Sequence, residues 1–151
     1  MELNTQLLSE CSDGGDLGRV QYLVSEGADI TCSERYGRGL SPVMMALRDN
    51  NQTISDWILN TYSGDSRLWN MVTSYGAIPL HMACISSDSD TVTRVARLTR
   101  DVNTRNSTGH TPIAVAVDYN NLPGVQAMLT VPGVDLDTRI NSGESLQDIA
   151  R

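Results

Sequence analysis

One phrase recurs along this chain: a Gly, a Pro three residues later, then a short apolar run with Ala at a fixed place. It reads Gly39-Leu40-Ser41-Pro42-Val43-Met44-Met45-Ala46-Leu47, then Gly76-Ala77-Ile78-Pro79-Leu80-His81-Met82-Ala83-Cys84, then Gly109-His110-Thr111-Pro112-Ile113-Ala114-Val115-Ala116-Val117. Pro42, Pro79 and Pro112 lie 37 and 33 residues apart. A fainter copy, Gly143-Glu144-Ser145-Leu146-Gln147-Asp148-Ile149-Ala150, closes the chain. A period of this length marks an array of small stacking units, because one pair of short helices cannot bury its own apolar face.

The local chemistry of the phrase predicts a helix start. Ser41 and Thr111 can accept a backbone N–H there, and Pro42 and Pro112 fit the first helical position, where a missing N–H costs nothing. Ala46, Ala83 and Ala116 let two helices approach closely. A second helix follows in three units, with apolar residues at i, i+3, i+4: Val20, Leu23 and Val24; Val92, Val95 and Ala96; Val125, Met128 and Leu129. These runs end at Gly27-Ala28-Asp29-Ile30, Thr99-Arg100-Asp101-Val102-Asn103 and Pro132-Gly133-Val134-Asp135-Leu136-Asp137. A Gly just past such a helix supplies a left-handed cap.

Composition agrees with thin layers. Five Tyr, two Trp and no Phe leave the core to Val, Leu, Ile, Met and Ala, and 40% apolar content is enough to fold. No run approaches the roughly 18 apolar residues of a membrane span, and Met1 to Cys11 carries no secretory leader, so no membrane role is expected. Three cysteines suit a reducing, intracellular setting, cytoplasmic or nuclear, better than a disulfide framework. A net charge of −7 argues against nucleic acid and favours a basic partner. All eleven cations are Arg, with no lysine at all. Compositional bias and avoidance of ubiquitin attachment both remain open as reasons.

These residues resemble the ankyrin repeat, whose pattern is a turn, Gly-x-Thr-Pro-Leu-His-x-Ala, a second helix, and Gly-Ala-Asp-Val-Asn. The resemblance implies an all-α solenoid of stacked helix-turn-helix units with short hairpin-like loops, one domain over 1–151. The units would be a degenerate first repeat (about 5–33), then 37–73, 74–106 and 107–139, and a partial last repeat (140–151). The last unit stops after its first helix should begin, as in a fragment of a longer protein. Family repeats carry Thr and His in Thr-Pro-Leu-His, tying neighbouring turns together. Here Ser41 stands with Met44, Ile78 with His81, and Thr111 with Ala114, so a broken lattice is expected. Ile78 has no oxygen to cap its helix. About four residues are inserted across Tyr62 to Thr73, and Ser55 falls where an apolar residue is expected, leaving the register of that helix open. Trp57 is expected in the core. Trp69 either packs back on its repeat or is exposed as an interface residue.

No catalytic group, metal or cofactor is expected. His81 and Cys84 share a helix face, but His81 stands at the family's structural His and Cys84 at an Ala position, and no further ligands are near in sequence. Cys11 is similar, and Cys32 is expected to be exposed. Asp13 with Asp16, and Asp88 with Asp90, sit in turns where Asp serves caps. Gly37-Arg38-Gly39 lacks the strand, helix and Lys of a phosphate loop. Met44 and Met45 alternate between core and surface.

That leaves surface recognition. The resemblance implies a non-catalytic module that binds a protein or extended peptide on a concave face of hairpin tips and exposed first-helix positions. The tips would be Ser33 to Arg38, Thr73 to Ala77, Arg105 to His110, and Arg139 to Glu144; the helix positions Arg48 and Asp49, Ile85 and Ser86, and Asp118 and Tyr119. The candidate contact residues are Tyr36, Arg38, Arg48, Tyr75, Arg105, His110, Asp118 and Tyr119, because Tyr and Arg anchor interfaces. Alternatives are the recruiting arm of a larger enzyme, such as a ubiquitin ligase, or an intramolecular docking domain.

Overall fold

The computed structural model describes residues 2–12 and 14–136. Asp13, Asp137, the tip expected over Arg139 to Glu144 and the partial repeat expected over 140–151 lie outside the described residues. Among those described there are nine helices and no strand. In chain order they are α1 (Leu3–Glu10), α2 (Leu17–Ser25), α3 (Pro42–Arg48), α4 (Gln52–Tyr62), α5 (Ser66–Trp69), α6 (Pro79–Ser86), α7 (Ser89–Leu98), α8 (Pro112–Asp118) and α9 (Leu122–Leu129). Eight of them form consecutive pairs, α1/α2, α3/α4, α6/α7 and α8/α9. First helices touch along one row, α1 to α3 to α6 to α8, and second helices along another, α2 to α4 to α7 to α9. The result is an all-α solenoid. One apolar core runs through it, from Leu7 in α1 to Met128 in α9.

The recurring phrase accounts for the first row. Pro42, Pro79 and Pro112 open α3, α6 and α8, and the three alanines at the fixed place are fully buried. Thr111 Oγ1 accepts from Ala114 N–H at 3.5 Å, as expected. Ser41 does not cap: its Oγ is buried and has no hydrogen-bond partner. The helix starts there without it because Pro42 presets the required φ. At Ile78 the side-chain cap is missing, and His81 Nδ1 instead accepts from the N–H of Ile78 itself at 3.1 Å.

The second row follows the apolar spacing. Val20, Leu23, Val92, Val95, Ala96 and Met128 are buried, Val24 and Val125 are half-buried, and Leu129, in the last turn of α9, is exposed. Gly27 is left-handed (φ +108°) directly past the cap residue of α2. Gly133 is also left-handed, but it sits in the turn beyond α9 rather than at its cap. Ser55 is buried beside Ile54, Ile58 and Leu59, and its hydroxyl donates to Gln52 O at 3.2 Å. That fixes the register of α4, with a hydroxyl satisfied locally at an apolar place. The inserted residues form α5. Trp69 there is fully buried and its Nε1 donates to Tyr62 O at 2.9 Å, so it is structural. Trp57 is half-buried rather than core, edge-on to the Tyr62 ring at 5.7 Å.

Asparagine side chains stitch the pairs together. Asn51 and Asn121 cap α4 and α9, each Oδ1 accepting a backbone N–H at 3.3 Å. Their Nδ2 groups reach back to the preceding pair: Asn51 to Ser12 O and Gly15 O at 3.3 and 3.2 Å, Asn121 to Cys84 O and Ser87 O at 3.1 and 3.0 Å. Asn70 and Asn103 link the loops that follow second helices, accepting from Arg100 N and Asp135 N, each at 2.8 Å. Asn121→Ala is expected to lose about 2 kcal/mol, since a cap and the donor to two carbonyls go together. A urea midpoint unchanged from wild type would refute the stitching role.

Candidate partner-binding groove

The three internal tips are short hairpins closed by backbone bonds, Glu34 N to Leu40 O, Thr73 N to Ala77 O and Asn106 N to His110 O, at 3.0, 2.8 and 2.9 Å. They are joined to one another through main-chain atoms as well. Ser74 N donates to Arg38 O at 2.9 Å and Ser107 N to Tyr75 O at 2.8 Å. Gly76 makes the second join possible. Its φ is +80°, and a Cβ there would stand 3.2 Å from Asn106 Cα and Ser107 N.

Between these tips and the first helices lies a groove of about 250 Å³. Met82 and Ile85 of α6 and Val115 of α8 supply its apolar floor, with Ala77. Arg38, Tyr75, Arg48 and Tyr119 rim it. The Arg38 guanidinium carbon lies 5.7 Å from the centre of the Tyr75 ring, within cation–π range. Arg48 grips Asp49 with two bonds, Nε to Oδ1 at 2.9 Å and Nη2 to Oδ2 at 3.1 Å, which hold its pKa above the ordinary value. Tyr119, just past α8, is 60% exposed.

The other four candidates stand outside the groove. Tyr36 is 86% exposed at the first tip. Arg105 is exposed, with one bond to Gly109 O at 3.4 Å. His110 and Asp118 face each other, Nε2 to Oδ2 at 3.2 Å, both side chains mostly covered. Thr108 Oγ1 holds the other His110 nitrogen at 2.7 Å. Met82 and Val115 line the groove and were not singled out from sequence, while Asn106 lines it from within the tip expected over Arg105 to His110. A signal existed: Met45, Met82 and Val115 each stand three residues past the recurring proline. Ser86, expected at the surface, instead donates to Leu47 O and Arg48 O at 3.4 and 3.2 Å.

The expected broken lattice is broken only in part. His81 is buried, and its Nε2 reaches His110 O of the next tip at 3.0 Å, while Nδ1 accepts from Ile78 N–H. With Nδ1 accepting, the proton sits on Nε2, which donates. The imidazole therefore spans two units in its neutral form.

The thiols are quiet. Cys11 and Cys84 are buried, and burial pushes the Cys11 thiol up to about 12 and raises that of Cys84. Cys32 is half-buried rather than exposed, and burial pushes its thiol up to about 11. Asp16 and Asp88 cap α2 and α7, accepting from Arg19 N at 3.1 Å and Thr91 N at 2.8 Å. Among the described residues, no group of three His, Cys, Asp or Glu is placed to hold a metal ion, and no helix is long and apolar enough to cross a membrane.

The family model for ankyrin repeats (three copies) matches residues 8–106, more than half of the chain. The chain belongs to the ankyrin-repeat family. Repeats of this family are generally non-catalytic protein-protein interaction modules. An ankyrin repeat protein of fowlpox virus (strain NVSL) is 28% identical across 68% of this ankyrin-repeat chain and 40% of its own length. Neurogenic locus notch homolog protein 1 of Mus musculus and of Rattus norvegicus is 34% identical across 63% of this chain and 4% of its own length. The chain thus spans less than half of each relative it matches.

Proposed function

We propose that this ankyrin-repeat chain holds a protein, or an extended segment of one, against its tips and first helices, without catalysis. One observation carries the reading: Arg38, Arg48, Tyr75 and Tyr119, from three successive units, meet around a single apolar-floored groove. Two rings and two guanidinium groups around such a floor are the composition of an interface anchor. Tyr36, Arg105 and His110 extend the same surface along the tips, and Asp118 stands beside His110 at the end of α8. The groove is smaller than the roughly 300–1,000 Å³ of small-molecule sites, which favours side chains of a partner over a free ligand. The net charge of −7 favours a basic partner at long range, where it sets association rate. An intracellular setting, cytoplasmic or nuclear, belongs to this reading and is supported by the three unpaired thiols.

The test is retention of partners from an extract of the source cells by the immobilised chain. Proteins held by wild type are expected to be lost from Tyr119→Ala, whose stability stays unchanged because the ring is exposed. Equal retention by both would move the binding surface elsewhere. The absence of lysine favours, as a second reading, the recruiting arm of a larger ubiquitin-transferring enzyme, whose array would escape its own reaction.

A further inference from the structure

The chain is acidic, yet its groove is not. Eighteen carboxylates outnumber eleven arginines, but among the groove-lining residues there are two arginines and no Asp or Glu. Many of the carboxylates act in the fold. Asp16, Asp65 and Asp88 cap α2, α5 and α7, and Asp29 and Asp101 close turns onto Thr31 N and Asn103 N, each at 2.9 Å. The acids nearest the tips are also engaged. Asp49 is gripped by Arg48, Asp118 faces His110, and Glu34 Oε1 accepts from Leu40 N at 3.1 Å inside its own hairpin. Among the described residues, no carboxylate lies within ion-pairing distance of Arg38. The arginine is exposed at the rim with an aromatic ring on one side. Exposed Arg35 stands on the same tip as Arg38, and exposed Arg105 on the third tip.

We propose that the groove accepts an acidic peptide segment, an apolar side chain seated on Met82, Ile85 and Val115 and a neighbouring carboxylate paired with Arg38. This rests on the binding reading above and goes beyond it by fixing the chemistry of the occupant. Net charge and groove chemistry point in opposite directions, and contact distances decide between them. At the groove the occupant's carboxylate meets Arg38 directly. Asp16, Asp29, Asp65, Asp88 and Asp101 serve caps and turns outside the lining, and charges more than about 10 Å apart are largely screened at physiological salt. The apolar floor lowers the local dielectric beside Arg38, and a ring on one side of the guanidinium leaves its edge for a carboxylate fork.

A library of short random peptides displayed on phage, selected on the immobilised chain, tests this. Enriched peptides are expected to carry Asp or Glu within two residues of a Leu, Ile, Met or aromatic residue. Synthetic copies should bind at least about tenfold more weakly to Arg38→Glu, and several-fold more weakly to Tyr119→Ala. Arg38→Gln serves as the second charge variant, and each variant must keep the wild-type urea midpoint. Enrichment of basic or uncharged apolar peptides that are weakened by Tyr119→Ala but not by Arg38→Glu would overturn the acidic occupant and leave the groove as the binding site. Peptides indifferent to both substitutions, or no enrichment at all, would overturn both.

Discussion

Trp69→Ala is expected to lower stability by about 4 kcal/mol, seen as a lower midpoint in urea. The ring is fully buried, and its Nε1 is the donor to Tyr62 O at the end of α4. Removal leaves a cavity, and Tyr62 O keeps only its bond from Asp65 N. The short helix α5 has four residues, is capped by Asp65 at Arg67 N and Leu68 N, and buries Leu68 beside the ring. Because α5 also touches α7, the loss should spread to the third unit rather than stay in the inserted loop. Trp69→Phe restores volume but not the donor, and should recover more than half of the loss. If Trp69→Ala unfolds at the wild-type midpoint, the inserted segment is not part of the cooperative structure.

His81→Ala is expected to lose about 3 kcal/mol, because a buried ring and two hydrogen bonds disappear together. Ile78 N–H would be left without its partner, and His110 O would keep only its bond from Asn106 N. His81 joins two units, so the change should also broaden the unfolding transition, as neighbouring repeats uncouple. Acid should act on the same residue. Burial, partly offset by the bond to His110 O, holds the folded-state pKa below the ordinary 6.5. The unfolded chain therefore binds the proton more readily. Stability is complete above about pH 6.5 and falls as pH drops from there through the lower folded value. Protonation puts a hydrogen on Nδ1, where Ile78 N–H already points. In His81→Gln this loss is absent. Asp29 and Asp88, whose pKa values are lowered by hydrogen bonds, give up their contributions only below the ordinary carboxylate value of 3.8. The two effects are therefore separable by pH. A stability profile flat from pH 7 to 5 in wild type would refute the histidine's part.

The helix rows were legible because proline position, alanine position and apolar spacing are set by backbone geometry, which sequence reports directly. The register of α4 was not, since Ser55 is polar by name and buried by virtue of a bond to its own helix. The groove was half legible. Tyr75, Tyr119, Arg38 and Arg48 could be named from tip and helix position, but their convergence with Met82 and Val115 depends on how units stack. The asparagine stitches escaped notice for a different reason. Asn50-Asn51 and Asn120-Asn121 look like ordinary loop residues, whereas the first of each pair is left-handed, at φ +56° and +55°, and the second bridges two units. Ser41 shows the converse, a residue of the right type at the right place whose hydroxyl bonds to nothing.

The tips are joined through Ser74 N to Arg38 O and Ser107 N to Tyr75 O, with no side-chain atom in either bond. Ser74 Oγ adds to the first at 3.0 Å, and the side chains at 38 and 75 take no part in either. Substitutions at those two places are expected to change what the surface recognises while the joins stay as they are. A family of descendants could diverge in specificity one tip at a time, and no compensating change elsewhere in the array would be required.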